Sequence, residues 1–252
     1  MVLYGYTSDT SSYTGNKVTI TYNLSQANGL GNDGTATLRA ESPNFSVYNI
    51  NVVNSYGKGS QAVAVSANAD KQGYYGVSFK GFQDTLLANQ GLQVYAKCYI
   101  EGATDFIFGQ RAAAWFDGVS IGVVNGGQYI TANGRDSSSN PSYYVINKST
   151  VGVAPGQSVT SGKYYLGRPW RNYSRVVFQN TALSNVINGA GWAIWGSSEP
   201  NTDHVEYGEY NNSGDGAKGT RASFSKKLSA AVSISTVLGS SYTSWVDTSY
   251  LS

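Results

Sequence analysis

A constant offset of 21 residues runs through the middle of the chain. Gly76-Val77-Ser78-Phe79, Lys97-Cys98-Tyr99-Ile100 and Gly118-Val119-Ser120-Ile121 align with one another, because 98 − 77 and 119 − 98 are both 21. That period is too long for a hairpin repeat and suits one coil of a solenoid. A coil of this size cannot bury its inner face alone, so coils stack and equivalent residues line up along the axis. Looser copies lie at 45–52, 143–146 and 175–178, while 132–142 and 152–163 read as loops leaving the coil at turns. The expected fold is all-β, a right-handed parallel β-helix forming one domain over 1–252. Past Ser197 the pattern dissolves, and this tail, with Trp245, Tyr250 and Leu251, is expected to pack on the solenoid with a short helix over 226–231. An antiparallel sandwich, the competing all-β fold, requires no constant offset.

Composition agrees. Only 13% of residues are charged, while 30 glycines and 20 tyrosines favour turns and strands over helices. A net charge of +2 with no Lys/Arg cluster leaves no nucleic-acid footprint, although a polyanionic sugar stays compatible. No apolar stretch approaches a membrane span, and Met1-Val2-Leu3-Tyr4-Gly5 lacks the basic and apolar regions of a signal peptide. One cysteine, Cys98, rules out a disulfide framework and a CxxC site; one histidine, His204, rules out a metal site built on histidines. Five Asn-x-Ser/Thr acceptors, at Asn23, Asn44, Asn147, Asn172 and Asn211, suit secretion but arise easily in so Asn- and Ser-rich a chain.

The same offset joins Gln83-Asp84-Thr85-Leu86 to Thr104-Asp105-Phe106-Ile107. Asp84 and Asp105 therefore belong on adjacent parallel strands, ~4.8 Å apart. Two carboxylates that close cannot both ionise cheaply, so one proton affinity rises and the other falls, which supplies an acid and a base or nucleophile from one residue type. Gln61 stands 22 residues before Gln83, placing two amide donors beside the pair, as acyl transfer requires. A polar ladder whose members merely satisfy one another would use the same residues. Gln83 and Asp84 are neighbours and should face opposite sides of a regular strand, so a strand end or bend is expected between them. Gly118-Val119-Ser120-Ile121-Gly122 imitates a serine-hydrolase elbow but lies inside the repeat with no helix after it. Gly29-Leu30-Gly31-Asn32-Asp33-Gly34 imitates a dinucleotide fingerprint without the surrounding strand-turn-helix unit.

Gln61-Ala62-Val63-Ala64-Val65, Gly81-Phe82-Gln83-Asp84-Thr85-Leu86, Gly102-Ala103-Thr104-Asp105-Phe106-Ile107-Phe108-Gly109 and Leu166-Gly167-Arg168-Pro169-Trp170 resemble four signature segments of the pectin methylesterases, in the family's order. Ile130-Thr131-Ala132-Asn133-Gly134-Arg135 and Gly191-Trp192-Ala193-Ile194-Trp195 extend the resemblance, which is closer to the fungal branch than to the plant one. The family removes methyl groups from methylesterified polygalacturonate outside the cell, without a cofactor or metal. The resemblance implies that Asp105 is the nucleophile and that Asp84 is the acid, then the base. It further implies that Gln61 and Gln83 stabilise the oxyanion, that Arg168 holds Asp105 ionised, and that Trp170 and Phe108 wall the cleft. A pectate lyase or polygalacturonase would share the fold but resemble other motifs; a non-catalytic pectin-binding fragment is the other alternative. The family domain usually begins several strands earlier, with a Gly-x-Tyr-x-Glu segment and a helix not found before Leu3. The strands near Leu3–Tyr6 and Val18–Tyr22 are accordingly expected to form an uncapped end that self-associates or is covered by a displaced segment.

Overall fold

The computed structural model describes residues 1–252, and every strand pair within its two sheets is parallel. It is the right-handed parallel β-helix expected from the repeat, with three strand faces wound around one apolar interior. The first face runs through Leu38–Ala40, Val65–Asn68, the start of Leu86–Ala96, Thr104–Gly109, Tyr129–Asn133 and Tyr165–Gly167. The second runs from Val2–Tyr4 through Ser46–Tyr48, Gln72–Tyr75, Arg111–Asp117, Tyr143–Asn147 and Arg175–Gln179. The third begins at Val18–Tyr22 and includes Ile50–Asn54, Ser78–Lys80, Tyr99–Gly102, Ser120–Val123 and Thr150–Val153. Leu86–Ala96 bends from the first face into the second and fuses them into one 14-stranded sheet.

The corner between the second and third faces is made by one residue per coil in left-handed backbone conformation. Asn49, Gly76, Lys97, Gly118, Lys148, Asn180 and Asn211 hold φ between 46° and 59°. A single such residue turns the chain sharply, and glycine or asparagine tolerates it best. Corners 76, 97 and 118 are 21 residues apart, which is the repeat read from the sequence; the next three intervals are 30, 32 and 31 because loops are inserted elsewhere in the coil. The turn side chains also link coils, since Asn211 donates to Asn180 Oδ1 at 2.9 Å and Asn180 to Asn147 Oδ1 at 3.3 Å. Asn147 in turn donates to Asp117 at 2.9 Å, so this acceptor asparagine is buried in the ladder.

Register puts like beside like inside. Val52, Phe79, Ile100, Ile121, Val151 and Leu183 are consecutive partners in one buried column. Tyr74, Tyr95 and Phe116 form a second column of nearly parallel rings, with centroids 5.0 and 4.6 Å apart. Their hydroxyls are satisfied in place: Tyr74 donates to Gln72 and Tyr95 to Gln93.

Beyond Ser197 two more strands, Glu206–Tyr210 and Ser225–Lys227, continue the second face. The helix expected over 226–231 is therefore corrected: Lys226 and Lys227 pair as a strand, and the helix is Ile234–Leu238, capped by the Ser233 side chain. Pairing with an existing sheet edge outweighs the modest helix preference of that lysine- and alanine-containing stretch. The tail crosses the outside of the second face, where Val237, Leu238 and Val246 bury against Trp115, Val145 and Val177. Tyr48 donates to Asp247, whose backbone N–H donates to the Tyr75 hydroxyl. No displaced segment covers the first coil, where Tyr4 and Tyr6 stand exposed. Ser120 sits in a third-face strand, and His204 stacks on Tyr173 at 4.5 Å.

The stacked interior makes one prediction. Phe116→Ala removes a fully buried ring from the column, where it packs against Tyr95 and Tyr144. It should cost about 3–5 kcal/mol, read as a lowered denaturation midpoint at unchanged m value.

Candidate functional site

Asp84 and Asp105 stand side by side on the outside of the first face because the bridges flanking them keep the offset of 21. Gln83 pairs with Thr104 on one side, and Leu86 with Ile107 on the other. Both aspartates have left-handed backbones, with φ of 64° and 50°. This is the bend expected between Gln83 and Asp84, and it allows both side chains to reach one cleft. Against the following strand the pairing shifts: Thr104 to Ile107 spans three steps opposite the two from Tyr129 to Thr131. One extra residue in a strand is a bulge, which re-aims a side chain at the cost of local strain.

The two carboxylates are equally hidden, each 6% exposed, yet differently held. Asp105 accepts two charge-assisted bonds from Arg168, Nε to Oδ1 at 2.9 Å and Nη2 to Oδ2 at 2.7 Å. Asp84 receives no side-chain hydrogen bond. Burial raises the proton affinity of both, and Arg168 opposes that rise most at Asp105, which it contacts. The Asp84 carboxyl is raised well above the usual range, by burial first and by the neighbouring Asp105 charge second. Arg168 favours the charged form of Asp105, although burial outweighs it there as well, and the asymmetry is that the Asp84 carboxyl is raised further.

Arg168 is itself fixed. Its guanidinium carbon lies over the rings of both Tyr129, 4.1 Å from the centroid, and Trp195, at 4.2 Å. Two cation–π contacts hold the guanidinium while its Nε and Nη2 donate to the carboxylate. Gln61, Gln83, Phe108 and Trp170 join Asp84, Asp105 and Arg168 around a cleft of about 280 Å³, so all seven residues expected from the sequence converge. Phe108 is buried beneath Trp170, at 6.3 Å between centroids, and supports the wall from behind. A larger depression of about 560 Å³ at the C-terminal end of the solenoid contains no such constellation, so volume alone does not mark the site. Sequence reasoning assigned no role to Gln26, Asn32 and Trp195, which also line the cleft, or to Tyr129. Trp195 lay within a segment of the resemblance. Gln26 and Asn32 belong to a first-coil loop with no repeat to signal it.

The raised Asp84 carboxyl has a stability consequence with a definite sign. A carboxyl whose folded proton affinity exceeds its unfolded one favours the fold below its unfolded pKa, about 3.9, and loses that contribution as pH rises through the folded value. Asp84→Asn should therefore raise Tm at neutral pH, and the gain should shrink as pH is lowered towards about 4. Thermal unfolding across pH measures it; a gain largest at low pH would contradict the assignment.

The comparisons with known proteins identify the family. The pectinesterase family pattern matches residues 12–242. The chain is 56% identical to a pectinesterase of Aspergillus aculeatus over 254 aligned positions, covering 99% of this chain and 77% of that protein. The crystal structure of a pectin methylesterase from Aspergillus niger superposes with a TM-score of 0.93 at 44% identity, covering 99% of this chain and 81% of that one. A pectin methylesterase in complex with a hexasaccharide superposes at 0.76 with 25% identity, covering 95% and 82%. With its parallel β-helix, its paired aspartates and its arginine in place, the chain belongs to the pectinesterase family, on the fungal side of it.

Proposed function

We propose that the chain hydrolyses the methyl esters of methylesterified polygalacturonate through an acyl-enzyme on Asp105. The observation that carries this reading is the unequal treatment of two adjacent buried carboxylates: one gripped by a guanidinium, the other left without a donor. Asp105, ionised, attacks the C6 carbonyl carbon. The amide N–H groups of Gln61 and Gln83 donate to the oxygen that becomes negative. As the C–O bond to methoxide breaks, Asp84 gives it the proton, methanol leaves, and a mixed anhydride joins Asp105 to the sugar. Asp84, now a carboxylate, takes a proton from water as that water attacks the anhydride. The new C6 carboxylic acid and the Asp105 carboxylate are released, and Asp84 is protonated again; the acid then gives its proton to solvent. The sum is ester plus water to acid plus methanol.

Arg168 has two tasks in this scheme. It keeps Asp105 charged in a buried place, and it balances the same single negative charge once Asp105 is acylated and that charge has passed to Asp84. The apolar ground around the pair, with Trp170 at its wall and Ala132 and Phe108 below, accepts a neutral methyl ester and a sugar face. The hexasaccharide bound by a structural relative supports a saccharide as occupant. A polymer of plant walls as substrate places the protein outside the cell, a proposal consistent with the absence of any helix long and apolar enough to cross a membrane.

Methanol release from methylated pectin, without new unsaturated or reducing ends, is the test of the reaction. Asp105→Ala should reduce that release by roughly 10⁴-fold, the scale of losing a central catalytic group, while circular dichroism stays unchanged. Substantial residual turnover would reassign the nucleophile. Arg168→Gln removes the group opposing the rise at Asp105, so Asp105 will stay protonated to higher pH. The acid limb of kcat/KM should then move upward; an unmoved limb would show that Arg168 does not tune the pair.

A further inference from the structure

The outside of the third face carries a concavity of about 400 Å³, and none of the residues lining it lines the cleft of the paired aspartates. Alternation along the strands fixes its floor. Phe79 and Ile100 are buried in the solenoid, so Ser78 and Tyr99, one position earlier, belong to the outer side. Register then sets Thr19, Asn51, Ser78 and Tyr99 abreast on four consecutive strands. Coil stacking thus builds a row of neutral polar groups at a spacing of ~4.8 Å. The loop before Val18–Tyr22 brings Asn16 and Tyr13 to this row, with the Tyr13 ring 5.2 Å from that of Tyr99. Lys80, two residues after Ser78, lines the same concavity.

Two atoms here have no partner. Ser78 is 2% exposed, yet its Oγ makes no hydrogen bond within the chain, and neither does Asn16 Oδ1. Buried polar atoms are nearly always paired, so two orphans lining one concavity point to a partner from outside. Asn16 is oriented by its other end, where Nδ2 donates to the Gly76 carbonyl at 2.9 Å, which leaves Oδ1 as an acceptor. Ser78 Oγ, on a single rotatable bond, serves as donor or acceptor. Exposed Lys80 has no carboxylate within 4 Å. Glu101, its partner on the next strand, accepts instead from the Tyr99 hydroxyl at 2.7 Å and does not line the concavity. Hydroxyl-binding groups, an aromatic ring and one uncommitted cation together match an acidic sugar. We propose that this concavity is a second saccharide site, remote from the chemistry, that takes a uronic-acid residue of de-esterified galacturonan. Lys80 pairs with its carboxylate, Ser78 and Asn16 bond its hydroxyls, and Tyr13 offers a ring to its apolar face. The choice of galacturonan among acidic sugars rests on the esterase reading above. The site would hold the protein on polymer that it has already processed.

The test is calorimetric titration of the protein with trigalacturonate, and with maltotriose as a neutral trisaccharide of equal length. Lys80→Met should weaken trigalacturonate about two- to five-fold, the scale of one exposed ion pair, and leave maltotriose unchanged. Ser78→Ala should weaken trigalacturonate about two- to ten-fold, the scale of one hydrogen bond. Its Tm should stay the same or rise, because the free protein has no partner of that hydroxyl to lose. Both variants should keep the parent kcat for methanol release from methylated pectin, since neither residue lines the cleft. Equal affinity for trigalacturonate in the parent, Lys80→Met and Ser78→Ala overturns the proposal. So does complete loss of binding in Trp170→Ala, which would put the sugar in the cleft alone. A parent that binds trigalacturonate with the expected losses in the two variants but releases no methanol would overturn the esterase reading and leave this site standing.

Discussion

Hydrogen bonding between equivalent strands of successive coils sets nearly everything else in this molecule. Each strand reads the register of its neighbour, so a residue type chosen at one position is delivered beside its counterpart one coil later. Inside, that turns single aromatic residues into the Tyr74–Tyr95–Phe116 column. At the corners it turns isolated asparagines into a ladder from Asn211 to Asn147. Outside, on the first face, the same rule sets two carboxylates together, which a solvated surface tolerates and a buried cleft makes chemically useful.

The site departs from regular strand geometry only where its chemistry needs it. Left-handed backbones at Asp84 and Asp105 are unfavourable for residues with a Cβ, and the bridges before and after them hold the strain. The result is a pair whose members share the same burial but not the same partners. Desolvation alone would protonate both. The Arg168 fork breaks the tie, and its own orientation depends on two rings from separate parts of the chain, Tyr129 and Trp195. Positioning is thus layered: rings hold the guanidinium, the guanidinium holds one carboxylate, and that carboxylate's charge adds to burial in raising the proton affinity of the other.

The groove around the pair has a direction because strands have one. A parallel solenoid presents every first-face strand in the same sense, so residues before the aspartates lie on one side and residues after them on the other. An antiparallel sheet would alternate the two. Thr104 and Tyr129 therefore flank the pair on one side, and Phe108 and Trp170 on the other.

The offset of 21 residues sufficed to read the parallel β-helix, the adjacency of Asp84 and Asp105 and the nearness of the glutamines, because stacking in register is a periodic consequence of local hydrogen bonding. It could not bring Arg168 to Asp105. Those residues are 63 positions apart across coils lengthened by loops of unequal size, and only the resemblance joined them before the structure did. Two strands past Ser197 were illegible for a similar reason: their register is imposed by the edge they join, and Ser225–Lys227 has little strand character of its own. The contacts of Tyr129 and Trp195 with Arg168 and the first-coil residues Gln26 and Asn32 also belonged to tertiary structure alone, since each depends on where a loop of no fixed period returns to the solenoid.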